Sequence, residues 1–184
     1  MASPLPSLPP PTLYTLGYQK RTQEQFFEML RAAGVSVLVD VRDVAWSHKP
    51  GFAKGSLAET ARTAGLEYVH AQFAGNPKRL REQEAELGPL LDAYGMHLEA
   101  NPSILDEFSE LIGGYANLGK KACLMCFERD PGECHRGVLA ARWAERHNGQ
   151  VVHLGDEPDE APAPKAAAKK RIPKPPSRST PSSP

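Results

Sequence analysis

The sequence predicts an α/β fold: a single three-layer domain with a mostly parallel open sheet of about five strands and helices on both faces. Three observations carry that expectation. Five short apolar runs recur between residues 13 and 154, and helical patterns alternate with them. The clearest run is β-branched and nearly continuous, as a strand buried on both faces should be. Several helical stretches open on a capping signal or close on glycine.

In chain order, Leu13-Tyr-Thr-Leu16 reads as the first strand, ended by Gly17. Thr22 opens a helix with Gln25 three residues on, a capping-box spacing, and Gly34 closes it. Val35 to Val41 reads as the second strand. Ser56 with Glu59 makes a second capping box, Gly65 a second stop, and Leu66 to His70 the third strand. From Asn76 to Asn117 the pattern is helical but broken by Pro89, Gly95 and Pro102, which predicts two or three helices. Asn101-Pro102 suits a helix start, with Asn as the cap and Pro in the first turn. Ala122 to Met125 reads as the fourth strand and Cys134 to His147 as a helix stopped by Gly149. Val151 to Leu154 is the fifth strand.

This α/β domain is expected over residues 12–157, between flanks of another character. Thirteen of the eighteen prolines lie in the first eleven residues or from Pro158 onward. Residues 1–11 and 158–184 cannot bury enough apolar surface to offset their ordering entropy, so both are expected to be disordered. The chain is 40% apolar and 24% charged, a globular mixture. Its apolar runs are too short to span a membrane. The N-terminus has neither the basic nor the apolar part of a signal peptide. Three clustered cysteines suit a reducing compartment, which makes the cytoplasm the expected location.

The net charge of zero hides a division. From Ala161 on there are six Lys or Arg and no acid, leaving sixteen basic against twenty-two acidic residues in 1–160. The folded body therefore lacks the basic excess of a broad nucleic-acid surface. The tail is expected to be a solvated solubility segment, with a weak, salt-sensitive nucleic-acid arm as the alternative.

In an open parallel sheet, ligands bind beyond the carboxyl ends of the strands. Those ends carry polar groups in four of the five cases. Tyr18, Gln19, Lys20 and Arg21 follow the first strand, and Asp40, Arg42, Trp46, Ser47 and His48 cluster at the second. His70 and Gln72 end the third; Cys126 and Glu128 end the fourth. Cys134, His135 and Arg136 fall near the start of the last long helix, where free N–H groups and the helix dipole favour an anion or a thiolate.

Spacing limits the alternatives. A phosphatase-like loop needs Arg six positions after Cys, and from Cys126 that position is Gly132. A zinc site could be drawn from Cys123, Cys126, Cys134 and His135. Residues three apart on a strand face opposite ways, however, which makes Cys123 a core residue. No metal ligand is assigned. Glycine-rich dinucleotide or P-loop signatures are absent, so no cofactor is assigned either.

Four motifs carry a resemblance: Thr15-Leu-Gly-Tyr-Gln19; Asp40-Val-Arg42 with Ser47 and Gly51-Phe52; Tyr68-Val-His70; and Cys126-x-Glu128-x-x-Pro131 followed by Cys134-His-Arg136. In this order, residues 13 to about 155 resemble the bacterial and archaeal family known as domain of unknown function 488. The sequence departs from the family pattern at Gln19, Ala45 and Ala74-Gly-Asn76. The resemblance implies a fold and a site but no reaction.

The leading expectation is an enzyme whose crevice binds a phosphate-bearing small molecule, a nucleotide or nucleic-acid component. Arg42, Arg136 and the last helix's N-terminus would hold the anion, with Tyr18, Ser47, His70 and His135 as further ligand contacts. Glu128 and Asp40 are the candidate acid–base groups, and Cys126 or Cys134 the candidate nucleophile. A non-catalytic ligand-sensing module and a thiol- or sulfur-handling protein are the alternatives.

Overall fold

The computed structural model describes residues 10–155. The expected basic tail lies outside the described residues, as does the Pro-rich N-terminus up to residue 9. Pro11 is already tied to the sheet, since its carbonyl accepts from the Gln150 amide at 2.8 Å.

Five strands form one parallel sheet in the order β3-β2-β4-β1-β5. They are β1 (Thr12–Gly17), β2 (Val37–Asp40), β3 (Glu67–His70), β4 (Ala122–Cys126) and β5 (Gln150–His153). Helices α1 (Gln23–Ala32) and α2 (Lys54–Thr63) connect the first three strands. Helices α3 (Lys78–Gln83), α4 (Leu87–Ala100) and α5 (Pro102–Asn117) lead to β4, and α6 (His135–His147) leads to β5. Short 3₁₀ turns, Gln72–Ala74 and Pro131–Glu133, follow β3 and β4.

Strand periodicity divides the core between two faces. Leu38, Cys123 and Met125 pack with Phe26, Phe27 and Leu30 of α1 and Leu57 and Ala61 of α2. Their neighbours Val37, Val39, Ala122, Leu124 and Cys126 point the other way. They pack against Leu80 of α3, Tyr94 and Leu98 of α4, Phe108 and Ile112 of α5, and Leu139 and Trp143 of α6. Burying each large apolar side chain stabilises by about 1.5–3 kcal/mol. Cys123 is thus a core residue, on the face opposite Cys126.

Several local expectations are corrected. Thr22 and Gln25 do form the capping box of α1. The box at Ser56 and Glu59 does not form: α2 starts three residues earlier, behind Ala53 as the cap, and Ser56 lies inside its first turn. Pro89 and Gly95 do not break the chain but lie within α4. Pro89 occupies its first turn, where a backbone N–H has no helical partner to lose. A side chain at Gly95 would project toward Val138 and Arg142 of α6. Asn101 caps α5 without a side-chain cap bond and instead donates its amide to the His97 carbonyl. The left-handed residue ending α6 is Asn148, φ 48°, rather than Gly149.

Candidate functional site

The carboxyl ends of β1, β2 and β4 meet at a cleft of about 270 Å³. Tyr18, Arg42, Cys126, Glu128 and His135 line it, together with Trp46, Asn76, Arg81, Phe127 and Glu133. Five of the ten residues expected to form the site therefore do border one crevice.

The loop after β4 is held in place by its neighbours. Tyr18 and Gln19 donate backbone N–H groups to the carbonyls of Cys126 and Phe127 at 3.1 and 2.8 Å. Gly17 makes this approach possible: a Cβ there would lie 1.7 Å from the Glu128 carbonyl oxygen. Arg136 closes the loop from the other side. Its Nη1 donates to the Glu128 carbonyl at 2.6 Å and its Nη2 to the Arg129 carbonyl at 2.8 Å. The side chain is almost wholly buried and does not border the crevice, and its Nε has no partner among the described residues. Arg136, expected to hold an anion, is occupied by loop carbonyls.

Asp40 and Arg42 are engaged with each other. Arg42 Nε donates to Asp40 Oδ1 at 2.8 Å and Nη2 to Oδ2 at 2.6 Å, while Tyr68 donates its hydroxyl to Oδ2 at 2.7 Å. Arg42 Nη1 donates to the Tyr18 hydroxyl and the Phe52 carbonyl, each at 3.0 Å. Burial works against the charge on Arg42, but the hydrogen bond and charge of Asp40 outweigh it and push its pKa up. Burial, and then the Asp40 carboxylate, push the Tyr68 phenol well up. Asp40 is fully buried beneath this network and does not border the crevice.

His70 and Ser47 are also absent from the crevice lining. His70 Nε2 lies 2.8 Å from the Arg42 carbonyl and Nδ1 3.2 Å from Lys54 Nζ. The carbonyl can only accept and the ammonium only donate, so Nε2 carries the proton. Ser47 Oγ accepts from the Lys49 amide at 3.1 Å and from the Tyr18 hydroxyl at 3.3 Å, a turn-stabilising role.

The remaining residues converge. The ligand atoms of Cys126, Cys134 and His135, all buried, lie within 4.8 Å of one another. His135 Nδ1 is 3.7 Å from Cys126 Sγ, and Nε2 is 2.8 Å from the Val41 carbonyl. Glu128 Oε2 lies 3.5 Å from Cys126 Sγ. The Tyr94 ring meets His135 edge-on, centroids 5.2 Å apart. Cys134 is the N-cap residue of α6, yet its sulfur makes no cap bond. A helix N-terminus favours the thiolate. Here burial, and then the Cys126 sulfur, push the Cys134 thiol up instead. Cys134 is also nearly inaccessible, which removes the geometry of an attacking nucleophile.

Several crevice residues are not among those expected to form the site. Asn76 is 6% exposed and its Oδ1 has no hydrogen-bond partner among the described residues. Its signal was the Gly75-Asn76-Pro77 turn following the third strand. Trp46 and Phe127 keep 59% and 43% of their surface exposed. Arg81 is paired with Asp43 at 2.9 Å. An exposed cation on an α3 face carries no local mark that distinguishes it.

The family model described as Domain of unknown function DUF488 matches residues 22–143. The match covers Asp40, Arg42 and the whole loop from Cys126 to Arg136, and stops short of β1 and β5. No significant match is found among curated proteins or among solved structures.

Proposed function

The chain belongs to the family described as Domain of unknown function DUF488, and from its crevice we infer an enzyme that acts on a phosphate-bearing small molecule, a nucleotide or nucleic-acid component. The observation that carries this reading is Asn76, a buried residue whose Oδ1 has no hydrogen-bond partner among the described residues and which borders a cleft lined also by two exposed aromatic side chains. An unmet buried acceptor costs about 1–3 kcal/mol until a donor reaches it. The ring edge of a nucleobase supplies such a donor. Trp46 and Phe127 offer faces on which a base stacks, worth about 1–3 kcal/mol per base.

Arg42 and Arg136 are buried among their protein partners, so the phosphate falls to Arg81, a partly exposed cation of the crevice that would exchange its pairing with Asp43 for the phosphate. Glu128 is the acid–base group, since it borders the crevice and stands beside Cys126. Three free, buried cysteines support a cytoplasmic location. The basic tail would add only a weak, salt-sensitive contact to nucleic acid. None of the helices in the described residues is long and apolar enough to cross a membrane.

Calorimetric titration tests the reading, with purine and pyrimidine mononucleotides, their nucleosides and ribose 5-phosphate as ligands. A mononucleotide should bind most tightly, with affinity reduced by Asn76→Leu and by Arg81→Ala. If none binds, or if both variants bind as the parent does, the reading is wrong.

A further inference from the structure

The cluster of Cys126, Cys134 and His135 is a stronger feature than the crevice ligand alone requires. We propose that these three side chains bind one thiophilic divalent cation of the zinc class, with a fourth coordination position open to the crevice beside Glu128.

Four observations carry the proposal. Zinc bonds to sulfur at about 2.3 Å and to imidazole nitrogen at about 2.0–2.1 Å, which at a tetrahedral angle places the two ligand atoms about 3.6 Å apart. His135 Nδ1 and Cys126 Sγ are 3.7 Å apart, and the three ligand atoms fall within 4.8 Å of one another. Second, the Val41 carbonyl lies 2.8 Å from His135 Nε2 and can only accept. The ring proton is thereby fixed on Nε2 and the Nδ1 lone pair is directed at the sulfurs, the outer-shell arrangement of metal-bound histidines. Third, Cys134 occupies a helix cap without capping, so its sulfur is left to the cluster. Fourth, Cys126, His135 and Glu128 border the crevice while Cys134 does not, so the cluster has one open side.

The donor set names the class of ion. Two thiolates and an imidazole suit zinc, whereas magnesium and calcium take oxygen ligands. Two thiolates also neutralise a divalent charge, which lowers the cost of burying it. Three protein ligands with an open fourth position is the pattern of a catalytic rather than a structural zinc site. Water, Glu128 or a crevice ligand can fill that position. The site does not depend on which molecule the crevice binds.

The test uses the full chain without a polyhistidine tag, purified anaerobically without chelators. Elemental analysis should find about one zinc per chain. After metal removal, Co(II) should bind in the same ratio and give the near-ultraviolet thiolate-to-cobalt band and the intense visible bands of a tetrahedral ion. Cys134→Ser and His135→Gln should weaken Co(II) binding by more than about a hundredfold, beyond the range seen for outer-shell changes. Cys123→Ala, on the other face of the sheet, should leave it unchanged within about twofold. A parent protein that takes up neither zinc nor Co(II) overturns the proposal, even if the variants fail to fold. So does a Cys126–Cys134 disulfide in the anaerobic protein, or a thiolate–cobalt band that survives Cys134→Ser in a folded chain.

Discussion

Arg42 and Asp40 face each other through two parallel hydrogen bonds, 2.8 and 2.6 Å long, with both side chains buried at the end of β2. The pair fixes the turn after β2, because the same arginine also holds the Phe52 carbonyl and the Tyr18 hydroxyl. Removing one member strands a buried charge, at a cost of about 3–5 kcal/mol. Arg42→Ala and Asp40→Ala should each lower unfolding stability by that amount in urea. A loss below about 1 kcal/mol would mean that the network is not structural.

Tyr68 gives the network a pH dependence. Burial and the Asp40 carboxylate raise its pKa above the usual 10.0, so its phenol ionises more readily in the unfolded chain. Its contribution is fully present below about pH 10 and is lost as pH rises through the folded-state value. Urea midpoints measured from about pH 8 to 11 should fall at the alkaline end, and Tyr68→Phe should flatten that fall. An unchanged slope in Tyr68→Phe would assign the effect to other tyrosines.

Gly17 is the contact point between β1 and the loop that carries Glu128. A methyl group there meets the Glu128 carbonyl at 1.7 Å and must push backbone aside. Overpacking of this kind costs about 1–3 kcal/mol. Gly17→Ala should lose that much stability and also weaken crevice binding, because the displaced segment includes Cys126, Phe127 and Glu128. Full retention of both would show that the loop relaxes freely.

Arg136 separates loop support from anion binding. Arg136→Lys keeps the charge but cannot span two carbonyls. Losing charge-assisted bonds to the Glu128 and Arg129 carbonyls should cost about 2–4 kcal/mol. Lysine would restore little of it. Near-parental stability in Arg136→Lys, measured by thermal unfolding, would instead mark the positive charge itself as the requirement.

Glu128→Gln distinguishes a catalyst from a sensor. The substitution keeps the size and one acceptor oxygen while removing the proton-accepting charge. An enzyme should keep ligand affinity within about tenfold and lose turnover by about a hundredfold or more. Unchanged turnover would remove Glu128 from the chemistry.

The strands were legible because a run buried on both faces is nearly continuous in apolar residues, as from Val35 to Val41, where Ser36 and Asp40 are the polar exceptions. Helix entries were less so. Ser56 and Glu59 have capping-box spacing, but α2 begins where the Lys54 amide finds the Ala45 carbonyl at 2.9 Å, a partner set by the tertiary fold. Strand order left no local trace: nothing in β4 itself marks it as lying between β1 and β2. At the site, residue type located Cys126, Glu128 and His135 but could not say which partner an arginine would choose. Arg136 and Arg42 turned to carbonyls and a carboxylate of the chain itself. Asn76 was illegible because an amide after a turn reads as turn chemistry until its oxygen is found buried without a donor.

The position of β4 has a consequence for how the molecule is made. β1 and β2 are adjacent in sequence yet do not touch as neighbours; each pairs with β4, more than eighty residues after β2. During synthesis, therefore, two apolar strands emerge and wait with unpaired edges until residues 122–126 arrive. Long-range parallel pairing is intrinsically slow, because the loop must close before its contacts reward it. A nascent chain halted before Ala122 holds α1, α2 and their strands but no strand to join the two halves of the sheet. The last third of the sequence thus carries the keystone strand as well as the loop, and premature termination there leaves an aggregation-prone remnant rather than a smaller domain.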